Sequence, residues 1–258
     1  MFRFANGSLA DLAGRKVACF VHGYNVTAAE ALSSARAYFE RLGPALSREG
    51  QRLQDWVFLL FTWPGDTGTL YFNPAQAFAQ ASGVALFDLV RQAGAAHWSV
   101  AAHSLGAHVS LRAAAILGQR LYSGRTVPRM DRLLLLGASV EDDVFENPQR
   151  HEEYHFPESA FGVGRLHITV ARSDEVLALP YLASEGDSAL GYCGPQSLSP
   201  LQSLQRRVRD VIGAEFSFEL HDLSPHSATI MNPALFVHNH GGYWSQPAQL
   251  DYYANLLV

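Results

Sequence analysis

The sequence predicts an α/β fold, a mostly parallel central sheet flanked by helices, on three observations. Short β-rich runs alternate with amphipathic helical patterns along the chain. One run, Trp56–Thr62 (WVFLLFT), is apolar almost throughout, as a strand covered on both faces must be. No repeat, linker or low-complexity stretch breaks the alternation, so residues 1–258 are expected to form a single domain.

The elements follow in order. Lys16–Val21 (KVACFV) is the first strong strand. Thr27-Ala-Ala-Glu30 opens a helix as a capping box: Thr27 accepts from the backbone NH of Glu30 while Glu30 reaches back. Leu32, Ala35, Tyr38, Phe39 and Leu42 share one face, and Gly43-Pro44 is expected to end that helix. Trp56–Thr62 has too few polar residues for an edge and is expected in the middle of the sheet. Asn73-Pro74 starts a helix running to about Gly94. His97–Ala102 reads as a strand, and Leu105 to about Tyr122 as a helix closed by Gly124. Arg132–Leu136 and Leu166–Ala171 are two more strands. Leu201, Leu204, Val208, Val211 and Ile212 make an amphipathic helix whose outer arginines, Arg206, Arg207 and Arg209, form a solvated face. Phe216–His221 is expected as the last strand and Leu250–Leu257 as a closing helix. The irregular stretches at 141–164 and 184–199 read as lid-like or surface excursions over the edge of the sheet.

Composition excludes several classes. With 48% hydrophobic and 17% charged residues the chain has ample material for a core and no signature of disorder. A net charge of -5 argues against nucleic-acid binding. Lys16 is the only lysine and sits at the base of a strand, which removes lysine-based catalysis. Cys19 and Cys193 read as free thiols of a reducing compartment. Met1–Arg15 lacks the continuous apolar run of a secretory signal, and Trp56–Phe61 is far too short to span a bilayer. The sequons at Asn6 and Asn25 are then chance matches. The expectation is a cytoplasmic protein with no integral membrane segment; composition does not set its oligomeric state.

The chemistry concentrates in Ala102-His103-Ser104-Leu105-Gly106, between a strand and a helix. That is the setting of a nucleophile elbow, where a sharp turn lifts a serine hydroxyl above the sheet. Small residues are required two before and two after the serine because strand and helix backbones nearly touch there; Ala102 and Gly106 supply them. The competing role for Ser104 is a helix N-cap. A second signal, Val21-His22-Gly23-Tyr24-Asn25, follows the first strong strand; His22 reads as a structural residue bonded within its loop. A third, His151-Glu152-Glu153-Tyr154-His155, matches the zinc-protease pattern letter for letter. Zinc chemistry there needs both histidines on one helical face, and Pro148 and Pro157 leave barely two turns for it. No third-ligand motif follows, so no metal site is expected and the stretch reads as part of a lid or surface excursion.

Val21–Asn25 (VHGYN), Phe61–Gly65 (FTWPG) and Ala102–Gly106 (AHSLG), in this order, resemble a bacterial branch of the α/β-hydrolase superfamily. The resemblance runs from about Lys16 to the C-terminus and implies an α/β-hydrolase fold. Only fifteen residues precede the first strong strand, so the fold's first two strands are truncated, with Phe2–Ala5 as a remnant.

The resemblance also implies a serine hydrolase with a triad in the order Ser, Asp or Glu, His. Ser104 is the nucleophile, and the backbone NH groups of Tyr24 and Leu105 form the oxyanion hole. Asp174, in the loop after Leu166–Ala171, is the expected acid, with Asp142 and Asp143 one strand earlier left open. His240, in His-Gly-Gly-Tyr-Trp, is the expected base, with His226 and His238 left open. Trp63, Tyr71 and Phe72 are expected at the substrate, and Phe145, Phe156 and Phe161 could line an acyl pocket or belong to the core. A small-molecule carboxylic ester is the expected substrate, and the triad requires no cofactor. A thioesterase or acyltransferase would use the same residues, and a non-catalytic binding protein of the same fold is the remaining class.

Overall fold

The computed structural model describes residues 5–68, 72–147 and 154–223, and beyond them residues 231–232, 237–238, 240, 243, 252 and 255–256. Six parallel strands form the main sheet: β1 (Lys16–Val21), β2 (Trp56–Phe61), β3 (His97–His103), β4 (Met130–Leu136), β5 (Val163–Val170) and β6 (Ser217–Asp222). Their spatial order is β2-β1-β3-β4-β5-β6. No strand precedes β1 among the described residues, and residues 2–4 of the expected remnant lie outside them.

Each strand alternates its side chains between two helical layers. Val17, Cys19 and Val21 join a core shared with α2 (Phe72–Gln92) and α3 (Gly106–Tyr122), while Ala18 and Phe20 pack with α1 (Ala28–Arg48) on the other face. The short α4 (Ser159–Gly162) and the amphipathic α7 (Ser199–Ile212) lie on the α2–α3 side. Between them in sequence come two single-turn helices, α5 (Leu182–Glu185) and α6 (Leu190–Cys193). The capping box of α1 forms as expected, with the Thr27 NH donating to Glu30 Oε2 at 2.8 Å and the Glu30 NH to Thr27 Oγ1 at 3.3 Å.

Four expectations are corrected. Helix α1 does not stop at Gly43-Pro44 but runs on to Arg48, because Leu42, Ala45 and Leu46 are fully buried and their packing outweighs the backbone bond that Pro44 cannot make. Among the described residues strand β2 is not central; it occupies one end of the sheet and pairs only with β1. Its apolar character has another cause: the half-buried Val57 and Leu59 pack toward one layer and Leu60 toward the other, so partly covered faces, not two lateral neighbours, account for these residues, while Phe58 stays exposed. Among the described residues one further strand pair follows β6, the antiparallel β7 (Met231–Asn232) and β8 (Val237–His238). The segments around 141 and 189 do not hang over an edge. They join each other through a Glu141–Ala189 bridge and bonds from Leu190 NH to Val140 O and from Ala171 NH to Gly191 O, which carries them across the ends of β4 and β5. Of the expected closing helix, Tyr252, Asn255 and Leu256 are helical and the rest lies outside the described residues.

Candidate active site

A parallel sheet collects the loops after its strands along one rim. Here β1 is followed by a strand on one side, β2, and then by one on the other, β3, so the chain leaving β1 and the chain leaving β3 flank a topological switch point. Tyr24 follows β1 and Ser104 follows β3.

Ser104 has φ 52, a left-handed backbone that costs a residue with a Cβ about 1–2 kcal/mol. The turn survives because its neighbours leave room. A Cβ on Gly106 would stand 2.6 Å from the His22 carbonyl oxygen, and one on Gly23 would stand 2.8 Å from Ser104 Cβ. The small residues thus let the two loops touch and present the serine hydroxyl at the rim.

His240 Nε2 lies 2.8 Å from Ser104 Oγ, and His240 Nδ1 lies 2.8 Å from Asp174 Oδ2. A carboxylate only accepts, so Nδ1 carries the proton and donates it, and the Nε2 lone pair receives the Ser104 hydroxyl. Asp174 is 0% exposed and its carboxylate is fully engaged. Oδ1 accepts from Val176 NH at 3.1 Å and Leu177 NH at 3.2 Å; Oδ2 accepts from the Tyr243 hydroxyl at 3.0 Å as well as from His240. Burial by itself would raise this carboxyl, but the adjoining His240 and these donors hold it below the usual carboxylate range.

The two rival acids have other partners. Asp142 accepts from the Cys193 thiol at 3.3 Å, and Asp143 lies 3.3 Å from His155. His226 lies outside the described residues, as do His151, Glu152 and Glu153 of the zinc-like motif.

Three contributors escaped the sequence reading. Ser139, after β4, places its hydroxyl 3.0 Å from Ser104 Oγ; with the Ser104 proton directed to His240, Ser139 is the donor. His103 Nε2 donates to the His240 backbone carbonyl at 2.9 Å, tying the base-bearing segment to the elbow. Burial, then the nearby His240, pushes the His103 imidazole well below its ordinary value, so it stays neutral. Tyr243 is the third. His103 lies inside Ala102–Gly106 and Tyr243 inside His-Gly-Gly-Tyr-Trp, but nothing local gives either its partner, and Ser139 carries no local signal at all.

The oxyanion candidates sit where the two loops meet. Among the described residues neither the Tyr24 NH nor the Leu105 NH donates to a protein acceptor. His22 is structural: Nδ1 donates to Gly23 O at 2.9 Å, and Nε2 accepts from Trp63 NH at 3.2 Å. Trp63 is buried, stacks on His22 at 5.5 Å and donates its indole NH to the His22 carbonyl at 2.8 Å, so it braces the loop. Phe72 stands edge-on to Tyr24 at 5.5 Å and to Tyr181 at 5.8 Å. Tyr71 lies outside the described residues. Phe145, Phe156 and Phe161 belong to the buried core.

A family model described as alpha/beta hydrolase of unknown function (DUF900) matches residues 5–237. The chain belongs to this family. Among solved structures the hydrolase is similar to an uncharacterised protein from Bacillus cereus, at 11% identity and a TM-score of 0.37 over 86% of this chain. It spans 56% of the length of that protein. It is also similar to esterase B from Lactobacillus Rhamnosis, at 14% identity and a TM-score of 0.45, covering 95% of this chain and 75% of that one. A third likeness is to an S-formylglutathione hydrolase from Agrobacterium tumefaciens, at 14% identity and a TM-score of 0.44, covering 96% and 87%. No curated protein matches the sequence. Among the described residues no helix of the hydrolase is long and apolar enough to cross a membrane.

Proposed function

We propose that this hydrolase cleaves carboxylic esters through an acyl-enzyme intermediate, with Ser104 as nucleophile, His240 as general base and Asp174 as the acid that orients it. The supporting observation is the continuous hydrogen-bonded row from Ser104 Oγ through His240 to Asp174, at 2.8 Å on each side of the imidazole. In the first half-reaction Ser104 Oγ attacks the ester carbonyl while His240 Nε2 takes its proton. Asp174, kept ionised by its four donors, stabilises the imidazolium. The Tyr24 and Leu105 NH groups receive the developing oxyanion. His240 then protonates the departing alcohol, and water, deprotonated by the same nitrogen, releases the acid.

Phe72, with Tyr71 beside it in sequence, is the proposed apolar contact for the acyl group, while Trp63 shapes the mouth from below by holding His22. We read the chain as one domain whose segments 141–164 and 184–199 wall the site. Two free cysteines, one of them buried, accord with a cytoplasmic setting.

The test is labelling with a fluorophosphonate probe alongside hydrolysis of short p-nitrophenyl esters, in wild type and Ser104→Ala. Wild type should label and turn over, and the variant should do neither. Equal hydrolysis by both proteins would remove Ser104 from the mechanism, and an unlabelled, inactive wild type would favour a binding protein. A panel that pairs thioesters and acceptor alcohols with the esters separates thioesterase and acyltransferase activity.

A further inference from the structure

Away from the Ser104 row, ionisable side chains converge on the segment leaving β4. His155 Nε2 lies 3.4 Å from Glu141 Oε2 and 3.3 Å from Asp143 Oδ1. One donor atom from each of the three lies within 4.8 Å of the others, and Asp143 converges in the same way with Asp142 and Asp187. Glu185 is close enough to act electrostatically on Glu141. Asp142 Oδ1, Asp143 Oδ1 and Glu185 Oε1 are buried and accept no hydrogen bond among the described residues; Asp142 as a whole is only 8% exposed. Buried carboxylate oxygens with empty lone pairs are costly unless a charge partner or a metal ion satisfies them.

The imidazole narrows the choice. Its side chain is 1% exposed, and Nδ1 donates to the Glu146 carbonyl at 3.3 Å. With Nδ1 on that carbonyl, Nε2 faces both carboxylates, and a proton or a cation between them would hold the three groups together. A charge-assisted N–H···O bond would draw the atoms to about 2.7–2.9 Å. Two ligand atoms, each about 2.0–2.1 Å from a tetrahedral ion, stand about 3.4 Å apart. The observed 3.3 and 3.4 Å match the second geometry. A carbonyl holding the far ring nitrogen is also the usual outer partner of a metal-bound histidine.

We propose that Glu141, Asp143 and His155 form a divalent-cation site, with Asp142 and Asp187 as flanking carboxylates. One imidazole nitrogen among carboxylate oxygens suits Zn2+ first. Of the His-Glu-x-x-His pattern the site takes His155 among the described residues, and it has no part in the ester chemistry. Its ion holds the turn after β4 to Tyr154-His155, and through the Glu141–Ala189 bridge and the bond from Asp142 NH to Ser188 O it fixes the 184–199 segment. Ser139, whose hydroxyl touches Ser104, is two residues upstream of Glu141. The ion thus stiffens the wall beside the nucleophile. A second convergent set, His167, Glu219 and His221, is less suited to a cation, because the positive Arg132 and Arg165 act on His167.

The test uses the full chain, stripped with a chelator, dialysed metal-free and titrated calorimetrically with Zn2+, with thermal unfolding followed in parallel. One Zn2+ should bind per chain, and the unfolding midpoint should rise with its concentration. Asp143→Asn and His155→Gln should each weaken binding about tenfold or more, while Glu219→Gln should bind as wild type does. Circular dichroism verifies the fold of each variant, and two ligands are substituted so that failure of one to fold leaves the other decisive. Absence of saturable binding in wild type, undiminished binding in either ligand variant, or loss of binding in Glu219→Gln would overturn the site.

Discussion

Two regions of this hydrolase set a histidine against carboxylates on loops that leave the sheet, and they do so differently. At Asp174–His240 the contact is 2.8 Å, and every remaining lone pair of the carboxylate has a donor: two backbone NH groups and the Tyr243 hydroxyl. At Glu141–Asp143–His155 the contacts are 3.3 and 3.4 Å, and buried carboxylate oxygens stand without donors. The carboxyl groups move in opposite directions accordingly. Asp174 is held below its usual range, whereas burial and the neighbouring Asp143 push Glu141 up. A saturated carboxylate fixes one tautomer and one orientation of its histidine. An unsaturated pair around an imidazole is a donor set with a position to fill.

Breaking the saturated region should have the largest effect. Ser104→Ala is expected to lower kcat on p-nitrophenyl esters by about 10⁴-fold or more. Steady-state kinetics with active-site titration measures this, and the comparison collapses if the loss is below tenfold. Asp174→Asn comes next, at about 10³–10⁴-fold, because an amide no longer enforces the Nδ1–H tautomer of His240. The same variant should lose about 1–3 kcal/mol in urea unfolding at pH 7, as charge-assisted bonds to two NH groups are weakened. The Asp174 carboxyl is lowered by folding, so its stabilisation is present above the ordinary carboxylate range and is lost as pH falls through its depressed value. Wild type and Asp174→Asn should therefore converge in stability at strongly acidic pH.

Tyr243→Phe removes one donor of four and should cost about tenfold in kcat with KM little changed, the mark of a positioning residue. A loss confined to KM would place Tyr243 at the substrate instead.

His108 supplies the smallest effect and a control for the other two histidines. It bonds Gln80 at 3.2 Å and packs edge-on to Tyr154 and Phe156. Burial lowers its imidazole from 6.5 to about 4. The unfolded chain then takes up the proton first, so stability is full above pH 6.5 and falls by up to about 1.4 kcal/mol per pH unit below it. His108→Gln should flatten that slope in unfolding curves recorded between pH 7.5 and 5. An unchanged slope would assign the acid sensitivity to other groups.

Much of the fold and of the proposed Ser104–His240–Asp174 row is legible locally. The elbow needs small residues at Ala102 and Gly106, and a left-handed Ser104 follows from that crowding. The capping box at Thr27 and Glu30 is closed by atoms three residues apart. The lateral place of β2 was not legible, since apolar residues report covered faces and say nothing about which strands lie alongside. The course of α1 past Pro44 was hidden for a related reason: local propensity favoured a stop, and burial of Leu42, Ala45 and Leu46 outweighed it.

The sequence by itself determined the alternation of strands and helices, the family motifs and the candidates Ser104, Asp174 and His240, because each is encoded in a short window where one residue type has a specific steric or chemical use. Only the tertiary structure decided what meets across the chain. It supplied Ser139 to Ser104, His103 to the His240 carbonyl and Tyr243 to Asp174. It also gathered Glu141, Asp143 and His155 around one point. Such meetings depend on the order in which six strands lie side by side, a sum of many weak packing preferences that no single window of sequence contains.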